Sequence, residues 1–99
     1  MKPTITITYC PKCGWLLRSS YMASELLTTF SDELGGVLLK PAERAGEFHI
    51  SIDGKIVVDR KAEGGFPEIT ALKRLVRDYI APRKPLGHID RGHEASDSK

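Results

Sequence analysis

The sequence predicts an α/β protein of the two-layer α+β type, with a four-stranded mixed sheet of strand order 2-1-3-4 and both helices on one face. Three observations support this. Residues 4–9 alternate threonine with apolar residues, which is typical of a half-buried strand. A segment with helical spacing of apolar residues comes soon after it. An Asp-Gly pair at positions 53 and 54 separates two apolar segments and indicates a hairpin.

The first half of the chain predicts a strand, a helix and a second strand. The strand Thr4 to Tyr9 is followed by a helix from about Trp15 to Asp32, which the pair Gly35-Gly36 would end. The apolar stripe of this helix consists of Leu16, Met22, Ala23, Leu26, Leu27 and Phe30. The short apolar run from Val37 to Lys40, before Pro41, predicts the second strand.

The hairpin between residues 48 and 58 allows two registers. A two-residue loop would place an acidic residue on the apolar face. A three-residue loop would pair Ile50 with Ile56 and Phe48 with Val58, so that one face stays apolar. We therefore predict a three-residue loop with a bulge at Gly54.

A second helix is predicted to begin at Pro67-Glu68. Its apolar stripe consists of Ile69, Leu72, Leu75, Val76, Tyr79 and Ile80. From Pro82 to Lys99 apolar residues are few, which is typical of a segment with little to bury. We therefore predict a folded domain over residues 1–81 and a mobile C-terminal tail over residues 82–99.

The arrangement of these elements follows if the hairpin adds beside the first strand. A strand-helix-strand unit crosses over right-handedly, and the hairpin would add beside the first strand. Both helices then cover the same face of the sheet. That face would carry Ile5, Ile7, Phe48, Ile50, Ile56 and Val58, and the open face Thr4, Thr6, Thr8, His49 and Ser51. The order β-α-β-β-β-α is the core of the thioredoxin fold.

Charge and hydropathy patterns argue against two classes of partner, nucleic acids and membranes. The net charge of +2 is too small to indicate a nucleic-acid-binding protein. The first residues lack the apolar run of a signal peptide, and no segment approaches the roughly 18 apolar residues of a membrane helix. The expectation is a cytoplasmic protein without nucleic-acid or membrane partners.

The two cysteines of the chain, Cys10 and Cys13, follow the first strand directly. In a reducing compartment this spacing indicates catalysis or metal binding rather than a structural disulfide. Cys13 would lie near the N-terminus of the first helix, where unpaired N–H groups favour a thiolate, and Lys12 adds a positive charge. A redox-active pair is therefore predicted, with no cofactor.

The predicted topology brings the segment before the second helix to the same end of the sheet. We assign Gly64, Gly65 and Phe66 to substrate binding because paired glycines allow close approach of a backbone and Phe66 offers an apolar surface. Lys12 and Trp15 complete the predicted substrate-binding set. The alternative is structural: Trp15 packs on the helix, and the glycines form a flexible connection.

Two other functions compete with redox chemistry. Cys10, Cys13, His88 and His93 have the internal spacings of a zinc site, although a long segment separates the two halves. An open sheet face and a distinct tail would also suit a protein-interaction module that the cysteines switch by oxidation.

The chain resembles a known family in three places. The stretch YCPKCGW after the first strand, the hairpin with Gly54-Lys55, and GGFPEI followed by LKRLVRDYI are similar to bacterial members of the selenoprotein W-related (Rdx) family. The resemblance covers about residues 3–90, including LGHID at residues 86–90. It implies a thioredoxin-like fold and a thiol redox role linked to glutathione and antioxidant defence, with protein disulfides or glutathione as partners.

The resemblance leaves the attacking cysteine open. Selenium-containing relatives carry selenocysteine at the position matching Cys13, which favours Cys13 as the nucleophile. Thioredoxin logic favours Cys10. The sequence also departs from thioredoxins, which place a cis-proline before the third strand. It has Ala45-Gly46-Glu47 there and lacks this proline.

Overall fold

The computed structural model describes residues 1–87, and within this range no helix is long and apolar enough to cross a membrane. The strands are β1 (Thr4–Tyr9), β2 (Gly36–Pro41), β3 (His49–Ile52) and β4 (Lys55–Asp59). The helices are α1 (Leu16–Thr29), α2 (Arg60–Glu63) and α3 (Ile69–Ile80), and Pro11–Cys13 form a 3-10 turn.

The four strands form one mixed sheet in the order β2-β1-β3-β4. β1 runs parallel to β2 and antiparallel to β3, and β4 completes an antiparallel hairpin with β3. This confirms the predicted order 2-1-3-4. The strand-helix-strand crossover and the tight hairpin leave β1 and β3 in the centre.

One hydrophobic core lies between the sheet and the two long helices. Ile5 and Ile7 of β1 meet Leu26 of α1 and Leu72 and Val76 of α3, each with no exposed surface. Because α1 and α3 contribute to the same core, both cover one face of the sheet, as predicted.

The predicted hairpin register is wrong. Ile52 pairs with Lys55, so the loop is the two-residue pair Asp53 and Gly54, with φ of 49° and 88°. Positive φ at both positions matches the tight turn whose twist fits the two strands, and Asp-Gly is a preferred sequence for it. Turn geometry therefore decides the loop length.

The bulge lies within the strands and not at Gly54. The register shifts between Ile50 and Ser51, where Val57 becomes the extra residue, and Ile50 then faces Val58. The bulge restores an apolar pair on the buried face without a longer loop. Ile56, which was predicted to face the helices, is 54% exposed.

Some element boundaries also differ from the prediction. α1 begins at Leu16 with Trp15 as its N-cap, and it ends at Thr29 rather than Asp32. The short helix α2 was not predicted.

The first residues of the predicted tail lie against the domain. Leu86 packs on the core, and the Lys84 ammonium lies 3.1 Å from a carboxylate oxygen of Glu33. The Lys84 carbonyl also accepts a hydrogen bond from Arg77. Residues 88–99 lie outside the described part of the chain, and the mobility of the tail stays a prediction.

Candidate functional site

The two cysteines form a disulfide at the end of β1. Cys10 follows the last residue of the strand, and the 3-10 turn Pro11–Cys13 brings the two Cα atoms to 5.4 Å. Gly14 ends this turn with a φ of 73°, a left-handed conformation that glycine adopts without strain. The local sequence thus closes the chain on itself before α1 begins.

The two sulfur-bearing residues differ in exposure. Cys10 is completely buried, whereas Cys13 is partly exposed. Cys13 also lies three residues before the first residue of α1, on the side where the unpaired N–H groups of a helix favour negative charge. Attack by or on an external sulfur is therefore sterically open at Cys13 and closed at Cys10.

An aromatic cluster forms around Trp15, which follows the partly exposed Cys13 by two residues. The ring of Trp15 lies 5.0 Å from that of Phe66 and 6.3 Å from that of Phe48, and the rings of Phe48 and Phe66 are 4.8 Å apart, all edge to face. The structure thus brings the predicted residues Trp15 and Phe66 into contact. Of the two, Trp15 lies two residues after Cys13 along the chain. Their role in substrate binding stays a prediction.

The predicted glycines and the lysine occupy three different settings. Gly64 ends α2 with a φ of 78°, and the Gly65 N–H donates to the carbonyl of Arg60. Both glycines directly precede Phe66 and shape the turn that delivers its ring to Trp15. Lys12 is exposed within the 3-10 turn between the cysteines.

Two arginines that no sequence motif singles out stack on the aromatic cluster. The Arg60 guanidinium lies 4.8 Å from the ring centre of Trp15 and 5.2 Å from that of Phe66, while Arg18 lies 4.4 Å from Phe66. The Arg60 Nε atom is buried and has no hydrogen-bond partner within residues 1–87. Such stacking keeps positive charge close to apolar rings.

The β2–β3 loop covers the other side of the disulfide. Ala42, Glu43 and Arg44 line a small cavity of about 80 Å³ together with Cys10 and Lys12. The chain leaving β2 therefore lies at the cysteine end of the sheet.

The same loop reaches over the open face. It lines a cavity of about 490 Å³ in which Thr8, Lys40 and His49 take part. Thr8, which was predicted on the open side, is buried in consequence.

Within residues 1–87 no group of three or more His, Cys, Asp or Glu side chains could hold a metal ion. His88 and His93 lie outside this range, so the alternative of a zinc site is not tested by it. The cysteines are bonded to each other.

Comparisons with known proteins agree on one family. A family model described as the Rdx family matches residues 4–78. A selenoprotein W-related protein from Vibrio cholerae has 47% identity over 80% of this chain and 98% of its own, with a TM-score of 0.76. A protein from Bordetella parapertussis has 48% identity over 81% of this chain and all of its own, with a TM-score of 0.78. A comparison with curated proteins found no match.

Proposed function

The chain belongs to the Rdx family, and from this premise we propose that it is a thiol–disulfide redox protein of the cytoplasm that acts in glutathione-linked or antioxidant homeostasis. One observation carries the proposal: Cys10 and Cys13 form a disulfide in which Cys10 is completely buried and Cys13 is partly exposed. A buried partner beside an exposed thiol suits a two-step exchange.

The exchange proceeds in balanced steps. The Cys13 thiolate attacks one sulfur of a target disulfide, forms a mixed disulfide and releases the first target thiolate. The Cys10 thiol then loses its proton and attacks the Cys13 sulfur, which forms the Cys10–Cys13 disulfide and releases the second thiolate. The protein is oxidised by two electrons and the target is reduced by two. Two glutathione thiols can return the protein to the dithiol and leave as glutathione disulfide.

The exposure of the cysteines assigns their roles in this proposal. Cys13 attacks because it is the accessible sulfur and lies closer to the helix N-terminus. Cys10 resolves the mixed disulfide because it can reach no external sulfur. This is the reverse of the thioredoxin order and matches the selenocysteine position of the relatives.

Trapping with single variants tests the proposal. Cys10→Ser should accumulate a stable mixed disulfide with glutathione or a target protein, because the resolving thiol is missing, and Cys13→Ser should not. Mass spectrometry identifies the captured group, and oxidised wild-type protein should lose two hydrogens and resist alkylation. Trapping by Cys13→Ser alone would reverse the roles.

The same measurements distinguish the redox function from the zinc site and the interaction module. Two thiols that stay alkylatable after mild oxidant, together with stoichiometric zinc in purified protein, would favour a zinc site. A partner protein that binds one redox state without exchanging sulfur would favour a redox-switched interaction module.

A further inference from the structure

A third cavity, a cleft, opens between α1 and the segment that leads into α3. Its volume is about 410 Å³, within the range of roughly 300–1,000 Å³ typical of ligand pockets. Met22, Phe66 and Ile69 contribute apolar surface, and Arg18, Tyr21 and Glu68 contribute polar groups. This composition suits a ligand that is apolar in its body and charged at one end.

One aromatic ring links the cleft to the residue that follows the redox pair by two positions. Phe66 lines the cleft on one side and contacts Trp15 on the other, at 5.0 Å between ring centres. Trp15 follows Cys13 by two residues. A bound molecule extended along these rings would therefore pass from the cleft towards the exposed cysteine.

Exposed apolar residues continue this surface along α1. Leu17 is 84% exposed and Tyr21 is 53% exposed, and residues four apart share one face of a helix. Tyr21 itself lines the cleft. Contiguous exposed apolar surface next to a cleft is typical of a site that meets another protein.

Arg18 and Glu68 both line the cleft, and the cations near it indicate what that partner carries. Arg18 stacks on Phe66 at 4.4 Å and is exposed, and it makes no ion pair with any residue of the described range 1–87. Lys12 and Arg60 likewise add positive charge on the path to Cys13 without an ion pair in that range. A carboxylate in the partner would complement this row of cations.

From the contact between Phe66 and Trp15, the exposed apolar face and the cations that make no ion pair within residues 1–87, we propose that the cleft docks a segment of a protein substrate. An aromatic or large aliphatic side chain of that segment enters the cleft, a neighbouring carboxylate pairs with Arg18, and the target cysteine reaches Cys13. The inference rests on the proposed redox function, because it defines which protein disulfides the pair prefers.

Binding to the cleft can be measured without any redox step. The probes are N-acetylphenylalanine, its uncharged amide, and N-acetylalanine, titrated into oxidised full-length protein and followed by NMR. N-acetylphenylalanine should shift the methyl signals of Met22 and Ile69, and the amide and the alanine compound should shift them less. Equal shifts for all three, or shifts confined to the cavity of Thr8 and His49, would overturn the proposal.

Exchange kinetics then test the link to Cys13. The substrates are peptides whose single cysteine carries a small aromatic thiol as a mixed disulfide, with Phe-Glu or Gly-Glu placed one to four residues from the cysteine. The best Phe peptide should react about tenfold faster in kcat/KM than its Gly counterpart, which corresponds to burial of one apolar side chain.

Matched variants locate the preference. Tyr21→Ser should reduce the ratio between Phe and Gly peptides, whereas Tyr79→Ser should leave it unchanged, since Tyr79 is similarly exposed, at 46%, but lies on α3 outside the cleft. Arg18→Gln should remove a preference of about threefold for Phe-Glu over Phe-Gln peptides. A ratio that Tyr21→Ser does not change would overturn the proposal.

Failure of the two proposals gives different results. If no disulfide reacts, the redox function fails, and the NMR titration still reports on the cleft. If all peptides react at one rate, the redox function stands and the docking inference is wrong. A dimer that forms at high concentration and dissociates in Leu17→Asp would assign this surface to a second copy and overturn the inference.

Discussion

Cys10 can react only with a neighbour that the fold supplies, because it has no exposed surface. Cys13 is that neighbour, and it is bonded to Cys10. The burial of one cysteine follows from its position at the end of a central strand, and the exposure of the other follows from the turn that leads the chain back outwards. The printed sequence shows the pair, but only the three-dimensional structure shows which of the two is accessible.

Trp15 should report the redox state of the pair. It is the only tryptophan of the chain and lies two residues from Cys13. A nearby disulfide quenches indole emission, so reduction should raise the fluorescence intensity of Trp15. The measurement is an emission titration against dithiothreitol. The double variant with both cysteines replaced by serine should show no change, and an unchanged wild-type emission would contradict the expectation.

Phe48 should be among the residues on which stability depends most. Its ring is 1% exposed and contacts both Trp15 and Phe66. Phe48→Ala should lower the free energy of unfolding by about 3–5 kcal/mol, the usual cost of removing a buried aromatic ring. Urea denaturation measures this. Leu38→Ala, at a site 52% exposed, is the control and should change stability by less than about 0.5 kcal/mol.

At the scale of elements, the short helix α2 positions the guanidinium of Arg60. Asp59 caps its first turn by accepting from the Lys61 N–H at 3.1 Å, and Glu63 accepts from the Asp59 N–H at 3.1 Å. Gly64 ends the helix in a left-handed conformation. These caps hold Arg60 over the rings of the site. The signals were present in the sequence, but a four-residue helix has too short a period to be predicted from apolar spacing.

Removal of the Asp59 cap should loosen this element. Asp59→Ala should cost about 1 kcal/mol in the free energy of unfolding, a typical loss for an N-cap. Asp59→Asn is the matched control, because asparagine also caps well and should stay close to wild type. Chemical denaturation of the three proteins gives the comparison. Equal stability of the alanine and asparagine variants would show that the cap contributes nothing.

The hairpin shows why a pattern of apolar residues can predict a strand and miss its register. Three apolar residues in succession, Ile56, Val57 and Val58, allow either alternate set to face the core. The conformational preference of Asp53-Gly54 for a two-residue turn then sets the loop, and the bulge adjusts the strand. Local turn chemistry was a better guide here than the apolar pattern.

Gly54 and Gly36 differ in backbone conformation, although both have room for a Cβ atom. A Cβ atom at Gly54 or at Gly36 would meet no atom within 4 Å, but only Gly54 has a positive φ, of 88°. Gly54→Ala should therefore lose about 1–2 kcal/mol of stability from left-handed strain alone. Gly36→Ala should be neutral or slightly stabilising. Thermal unfolding of both variants tests this, and equal melting temperatures would contradict it.

For the whole molecule, the strand order and the helix face followed from the sequence because few connections obey the right-handed rule. The pairing of the two cysteines was also predicted. The arginine stacking was not, since Arg18 and Arg60 are far apart in sequence and each resembles an ordinary surface charge. Such contacts between distant elements leave no local pattern.

The segment after α3 should contribute to the stability of the domain through Leu86. Its side chain packs against the core from outside the predicted domain boundary. Leu86→Ala in the full chain should lower the melting temperature by about 4–8 °C, if the loss is near 1 kcal/mol. Pro85→Ala, at an exposed neighbour, is the control. Equal melting temperatures would show that the segment adds no stability.

The central position of β1 has a consequence for how the chain folds. β1 precedes both of its partner strands in the chain. β2 begins at residue 36 and β3 at residue 49. The long segments between these strands therefore lose conformational entropy before strand pairing can compensate the loss. This slows folding relative to a helical protein of the same size. As the chain grows, β1 cannot pair until at least the residues of β2, Gly36–Pro41, have left the ribosome.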